Sequence, residues 1–232
     1  NNTITGGQCA LMMMRSNDGL ITDNDFSFNS AIGIGMYRSS RNNILHNKLD
    51  FNVRGHSDGF YNRGQDSAGI LVFEQCNENV FAYNSVTHGG DGFFLWAGQT
   101  TMDTGEGGCN DNYVYKNDFS YAPTNGVEIT FSKNKIIENI IYECDHGIWG
   151  GYSWNTSITG NRFYKNRIGI AIEHGQYNNI SNNTFESNKL AAVKLWARKT
   201  QPSDWGYANK RETRSMQYNF WENHFKNEQV AF

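Results

Sequence analysis

The chain has 232 residues, enough for one domain or at most two. Its 20 Lys and Arg against 23 Asp and Glu leave a net charge of −3, which excludes a general electrostatic grip on nucleic acid phosphates. No run approaches the roughly 18 apolar residues of a membrane-spanning helix, and 14% aromatic residues exclude a disordered chain. There are 31 Asn and 24 Gly but only 2 Pro, a composition that predicts many tight turns between short strands.

The opening Asn1-Asn2-Thr3-Ile4 already reads as the middle of a pattern, with no signal peptide before it. The expectation is a mature secreted protein, or a piece of a longer one. From Ile21 onward one motif recurs: apolar, two residues, Asn, one residue, apolar. It stands at Ile21/Asn24/Phe26, Ile44/Asn47/Leu49, Phe81/Asn84/Val86, Val114/Asn117/Phe119, Ile136/Asn139/Ile141, Ile158/Asn161/Phe163, Ile180/Asn183/Phe185 and Phe220/Asn223/Phe225. The spacings are 23, 37, 33, 22, 22, 22 and 40, a base period of 22 with three longer intervals. After each Asn a second motif follows: Gly, apolar, any, apolar. It reads Gly33–Met36, Gly69–Val72, Gly92–Leu95, Gly126–Ile129 and Gly169–Ile172, more weakly Gly147–Gly150, and with Ala in place of Gly at Ala192–Leu195. Cys9, Cys76, Cys109 and Cys144 are widely spaced with no CxxC pair, so buried thiols are expected rather than a zinc knuckle or disulfides.

Each repeat holds about three runs of period-2 alternation, too short for a helix. One such coil cannot bury its own apolar face. Stacking coils at the ~4.8 Å strand spacing buries a continuous core. The Asn column is expected at a sharp corner, where Asn tolerates the left-handed region and its amide bonds the coils above and below. Three successive spacings of 22 exclude a propeller, whose blades need roughly 40 residues. The Asn column and the Gly-led strands resemble the right-handed parallel β-helix of the pectate lyase superfamily, with its NosD-like, carbohydrate-binding and sugar-hydrolase repeat group. The fold expected is therefore all-β, a single parallel β-helix over residues 1–232.

The resemblance implies that each Asn sits between the second and third strands of a coil. The Gly-led strand is then the first strand, on whose outer face the superfamily binds sugar. Extra segments at 53–68, 97–110 and 198–216 open beside that face. The last two follow strands four coils apart, so they are expected to stand as walls ~19 Å from each other, room for roughly four sugar units.

The outward column of that face reads Leu71, Phe94, Glu128, Trp149, Ala171 and Lys194, and the next reads Phe73, Trp96, Thr130, Gly151, Glu173 and Trp196. Before the glycines stand Asp91, Asn125, His146 and Ile168. A solvent face should be bland, yet this one gathers Trp, carboxylates, Lys and His. Trp149, Trp96 and Trp196 are candidates to stack on sugar rings, unless the inserted segments cover them. Lys194, Arg198 and His88 are candidates to bind hydroxyls or anionic groups. Glu128 and Glu173, on coils two apart, come near the carboxyl separation of an inverting glycosidase. Glu173 is the favoured acid or base, oriented by His174 and Trp196, with His146 and Asp91 alongside. His56 and Asp58 add a rim, and Lys210, Arg211 and Arg214 a basic cluster suited to an acidic polysaccharide.

A polysaccharide lyase or a glycoside hydrolase, secreted or periplasmic, is the leading reading, with a polysaccharide or oligosaccharide as partner. No metal site is read. No cofactor is expected, except Ca2+ if the protein is a lyase. The Asp-Pro-His motif of mannuronan C5-epimerases, the Asp pair and Arg-x-Lys of polygalacturonases, and the Asp cluster of classical pectate lyases are not found. A non-catalytic carbohydrate-binding or adhesion scaffold, and a NosD-like accessory protein of copper-site maturation, stay open. Neither end carries an evident cap, so a further domain or partner is expected to cover at least one.

Overall fold

The computed structural model describes residues 1–55, 58–60, 66–202 and 204–231. The chain winds as a right-handed parallel β-helix. Eight strands, from Cys9–Met14 to Ala191–Trp196, form the first sheet, eight form the second, and four strands extended by isolated bridges form the third. Pairing is parallel and in register from coil to coil. In the first sheet Leu71, Phe94, Glu128, Trp149, Ala171 and Lys194 align as one column.

The core is a set of vertical stacks. Ile44, Phe81, Val114, Ile136, Ile158 and Ile180 rise through the second sheet, and Leu49, Val86, Phe119, Ile141, Phe163 and Phe185 through the third, all fully buried. Each such side chain contributes about 1.5–3 kcal/mol of transfer free energy. The recurrent glycine of the first sheet has a steric cause. A Cβ at Gly126 would lie 2.4 Å from Ile141 Cγ2, and one at Gly169 would lie 2.5 Å from the carbonyl oxygen of Ala192. No larger residue passes there while the third-sheet stack is in place.

The expected Asn ladder runs between the second and third sheets. Asn117 donates its backbone N–H (2.9 Å) and its Nδ2 (3.0 Å) to Asn139 Oδ1, and Nδ2 also to the Phe81 carbonyl (2.9 Å). Asn139 repeats this onto Asn161, and Asn161 onto Asn183. One expectation is corrected: these asparagines do not take the left-handed conformation. The residue before each does, namely Asp23, His46, Tyr83, Lys116, Glu138, Gly160, Asn182 and Glu222, with φ between 52° and 70°. That residue turns the chain outward, and the Asn that follows points inward to the ladder.

The other two corners carry ladders as well. Between first and second sheets, Asn42 bonds to Asn79, Asn79 to Asn112, Asn112 to Asn134, Asn134 to Thr156, and Thr156 to Asn178. Between third and first sheets, Asn29 bonds to Asn52, and Cys144, Asn166, Asn188 and Glu228 continue the corner. The four cysteines are free thiols. Cys76 and Cys109 serve the backbone as ladder acceptors, from Ser39 N and Cys76 N.

The three extra segments do not behave alike. Of 53–68, His56 lies outside the described residues and Asp58 is exposed in a turn. The segments 97–110 and 198–216 each fold a short helix, α1 (Gln99–Thr104) and α2 (Gly206–Lys210). The expectation of two separate walls is overturned, because these segments meet. Arg211 Nε donates to the Gly105 carbonyl at 2.7 Å, and Ala97, Met102, Phe131, Tyr152 and Tyr207 form a second apolar cluster. Met102 and Tyr207 could not be buried on a free-standing loop. They close over the rings of Phe131 and Tyr152, which project where the first-sheet strands end.

Candidate functional site

The joined segments pack where the first-sheet strands end, and the outer face of the sheet beside them stays open as a shallow groove. Within it a cleft of about 330 Å³ is lined by Pro123, Thr124, Asn125, Glu128, Asp145, His146 and Trp149. Successive coils supply these residues at equivalent positions, since Asn125 pairs with His146 and Glu128 with Trp149.

Asp91, one coil below, is buried and accepts hydrogen bonds from Thr124 Oγ1 and from the Asn125 backbone N–H (2.8 Å). Burial nevertheless pushes its carboxyl up to about 6. Burial, reinforced by the neighbouring Asp91 charge, pushes Glu128 up to about 8 against the opposing hydrogen bond from Asn125 Nδ2 (2.9 Å). That shift favours the protonated form of Glu128 near neutral pH and suits it to donate a proton.

His146 stands on the next coil, beside Asn125. Burial lowers its pKa, aided by Arg167 and Lys194 and opposed by Asp145. Its Nδ1 lies 3.1 Å from Asn125 Oδ1 and 3.2 Å from Asp145 Oδ2, and its Nε2 lies 3.0 Å from Arg167 Nη2. A guanidinium only donates, so Nε2 holds the lone pair and Nδ1 the proton. Arg167 also grips Asp145 through Nε at 2.5 Å and Nη2 at 3.0 Å, which holds the Asp145 carboxyl below its ordinary range. Trp149 packs 5.3 Å from the His146 ring and 5.6 Å from Trp196, reaching across the small Ala171, while the Lys194 ammonium lies 4.7 Å over the Trp196 ring.

Glu173 ends its strand, Ile168–Glu173, and pairs with Trp196 on the next coil. Its Oε1 accepts Trp196 Nε1 at 2.9 Å and Arg198 Nε at 2.6 Å, so it fastens the start of the last segment to the sheet. The neighbouring His174 is not brought beside it. Its ring is third in a stack on Tyr152 and Phe131, with Nδ1 on the Thr213 carbonyl and Nε2 taken by Arg198 N and Gln201. Trp96 packs against the second apolar cluster, as the covered alternative has it. His88 is stacked between Phe51 and Tyr121 at the corner outside the groove. Met12 and Met14 are exposed while Met13 is buried, the alternation of strand residues rather than a ligand set.

The structure therefore gathers Asp91, Glu128, His146, Trp149, Lys194 and Trp196, with Glu173 and Arg198 as one wall. Arg167 was missed. Its only signal in the sequence is its place before Ile168, one period above Asp145. The carboxyls suit a Ca2+ poorly, since Asp91 and Glu128 are held toward their protonated forms and Asp145 is taken by Arg167.

The sequence profile of the right-handed β-helix region matches residues 1–104 and 63–203. No curated protein matches the chain by sequence. Among solved structures it is similar to an alginate lyase from Paenibacillus sp., at 11% identity over 99% of this chain and 80% of that one, TM-score 0.66. It is similar to the A-module of a mannuronan C-5 epimerase from Azotobacter vinelandii, at 12% identity over 91% of this chain, TM-score 0.58, and spans 54% of that module's length. It is also similar to the Streptococcus pneumoniae surface protein and adhesin PfbA, at 10% identity over 95% of this chain and 67% of that one, TM-score 0.56.

Proposed function

The chain belongs to the right-handed β-helix family, and we propose that its first-sheet groove binds and chemically modifies a uronate-containing polysaccharide outside the cytoplasm, in a secreted or periplasmic setting. The observation that carries this reading is the chain of contacts in which Asn125 joins the Glu128 carboxyl to the His146 ring and Arg167 stands at His146 Nε2; the upward shift of Glu128 and the downward shift of His146 suit them as acid and base. Removal of the proton α to a uronate carboxylate needs those three parts: a base, an acid and a cation to hold the carboxylate. His146 Nε2 takes the C5 proton, Arg167 and Lys194 hold the carboxylate, and Glu128 delivers a proton. Delivery to the glycosidic oxygen as that C–O bond breaks gives elimination, and delivery to the opposite face of C5 gives epimerisation. Asp91 and Asn125 position Glu128, and Trp149 with Trp196 carries a sugar ring.

A lyase and an epimerase among the structural relatives support this class of chemistry. Hydrolysis by Glu128 and Glu173 is less well supported, because Arg198 and Trp196 both occupy the Glu173 carboxylate. The adhesin relative supports a second reading, binding without turnover. The test is the purified protein on a panel of acidic and neutral polysaccharides, following ultraviolet absorbance of unsaturated ends, reducing ends and C5 configuration by NMR. Absorbance with reducing ends indicates elimination, reducing ends alone hydrolysis, and a change at C5 alone epimerisation. Binding without any of these would overturn the catalytic reading in favour of the scaffold.

A further inference from the structure

We infer that Arg167 covers the reactive lone pair of His146 in the free protein and uncovers it only for a substrate that brings its own anion. This deepens the function proposed above and rests on it, since the groove must be the uronate site.

The contacts allow little else. Arg167 Nη2 lies 3.0 Å from His146 Nε2, and a guanidinium can only donate there. The same nitrogen is 3.0 Å from Asp145 Oδ2, and Nε is 2.5 Å from Asp145 Oδ1. Asp145 and Asn125 meanwhile share the Nδ1 side of the ring. His146 is therefore fixed in one tautomer with its one basic atom occupied by a cation. The charged groups facing the ring are Asp145 just before its strand, Arg167 one coil on, Lys194 two coils on, and Glu128 one coil back behind Asn125. Of these only Arg167 touches Nε2.

Arg167 is also able to leave. Its side chain is 43% exposed, against 17% for His146. A carboxylate entering the cleft offers the guanidinium a second anion, so that Nη2 exchanges its bond to the ring for one to the carboxylate while Nε keeps Asp145 Oδ1. When the guanidinium turns to that carboxylate, Nε2 is left facing the sugar. A neutral saccharide offers no such partner, so the base stays covered. Substrate charge would in this way select for reaction and not only for binding.

The test is 15N NMR on 15N-histidine-labelled protein, with the His146 signals assigned by their loss in His146→Gln. Without ligand, the expected result is a protonated Nδ1 and a hydrogen-bonded, unprotonated Nε2. In Arg167→Ala the His146 pKa should move up, because a cation is removed and the Asp145 carboxylate is released. Arg167→Lys should lie between that variant and the unsubstituted protein. A mannuronic acid tetramer should shift Nε2 in the unsubstituted protein, and the neutral mannotetraose should not. A proton on Nε2 in the free protein, an unmoved pKa in Arg167→Ala, or an equal response to the neutral sugar overturns the inference. If the ligand-free results hold but no saccharide binds or reacts, the function is what fails, and the release falls with it. If a uronate substrate is found and Nε2 does not respond to it, the release alone fails.

Discussion

The first sheet presents two regions on one continuous outer face. Its first coils show Met12, Met14, Leu71, Phe73 and Phe94, and its later coils show Glu128, His146, Trp149, Glu173, Lys194 and Trp196. Both are built on strands of the same register, and the change falls at a single step, where Phe94 is followed in its column by Glu128. The backbone frame is set by inward stacks and corner ladders, so the outward positions are free to carry unrelated chemistry. At that step titratable groups are linked from coil to coil: Asp91, on the strand of Phe94, acts on Glu128, Asn125 joins Glu128 to His146, and Arg167 joins His146 to Asp145.

Substitutions on the two sides of that step should separate them. The largest effect is expected from Glu128→Gln, which removes the acid while keeping its size. Turnover on whatever substrate the panel identifies should fall by about 10²–10⁴-fold, with saccharide affinity by calorimetry little changed. Retention of full turnover would remove Glu128 from the mechanism. Trp149→Ala should weaken saccharide binding by about tenfold or more, whereas Phe73→Ser, in the earlier half, should leave it alone. Equal losses in both would mean that the groove extends over the whole sheet.

Stability tests the frame the two regions share. Asn161→Ala leaves the Asn139 N–H and the Ile136 carbonyl without their partner. It should cost about 1–3 kcal/mol, read as a lower denaturation midpoint, whichever half is assayed. The site should also make stability depend on pH, through groups on both sides of the step. Glu128 rises from an ordinary 4.5 to about 8 and Asp91 from 3.8 to about 6, so the folded state holds more protons than the unfolded chain between those values. Stability should therefore fall as pH rises from about 4 to about 8, and Glu128→Gln should flatten the upper part of that slope. Turnover should also decline above about 8 as Glu128 loses its proton, a limb absent from binding.

The period, the Asn column, the Gly-led strands and the aligned outer columns were legible because a solenoid repeats each physical demand once per coil. What broke the repeat was hidden. The two further ladders pass through Thr156 and Glu228, which share with Asn an inward acceptor but not a letter, and through Cys144, whose backbone N–H donates to Asn166. The left-handed corner residues range from Tyr83 to Gly160 and show no common type. The meeting of 97–110 with 198–216 joins residues 106 apart, and a 22-residue period says nothing about such a contact. His174 lay beside Glu173 in the sequence, but the left-handed turn at His174 (φ 59°) sends its ring to the Tyr152 stack instead. Arg167 becomes visible only once Asp145 and His146 are placed directly beneath it.

The bond from Arg211 to Gly105 has a further consequence for how the molecule comes apart. A chain of coils in which each touches only its neighbours unravels from an end, one coil at a time. Here the segment after Asp91–Trp96 is tied to the segment after Ala191–Trp196, so the coils between them sit inside a closed loop. They cannot fray singly without breaking the tie. Amide hydrogen exchange should accordingly find Asn125–Thr130, His146–Trp149 and Ile168–Glu173 opening as one cooperative unit. The coil of Cys9–Met14, outside the tie, should exchange on its own and sooner. The residues that act on substrate would then lie in the part of the solenoid that opens last.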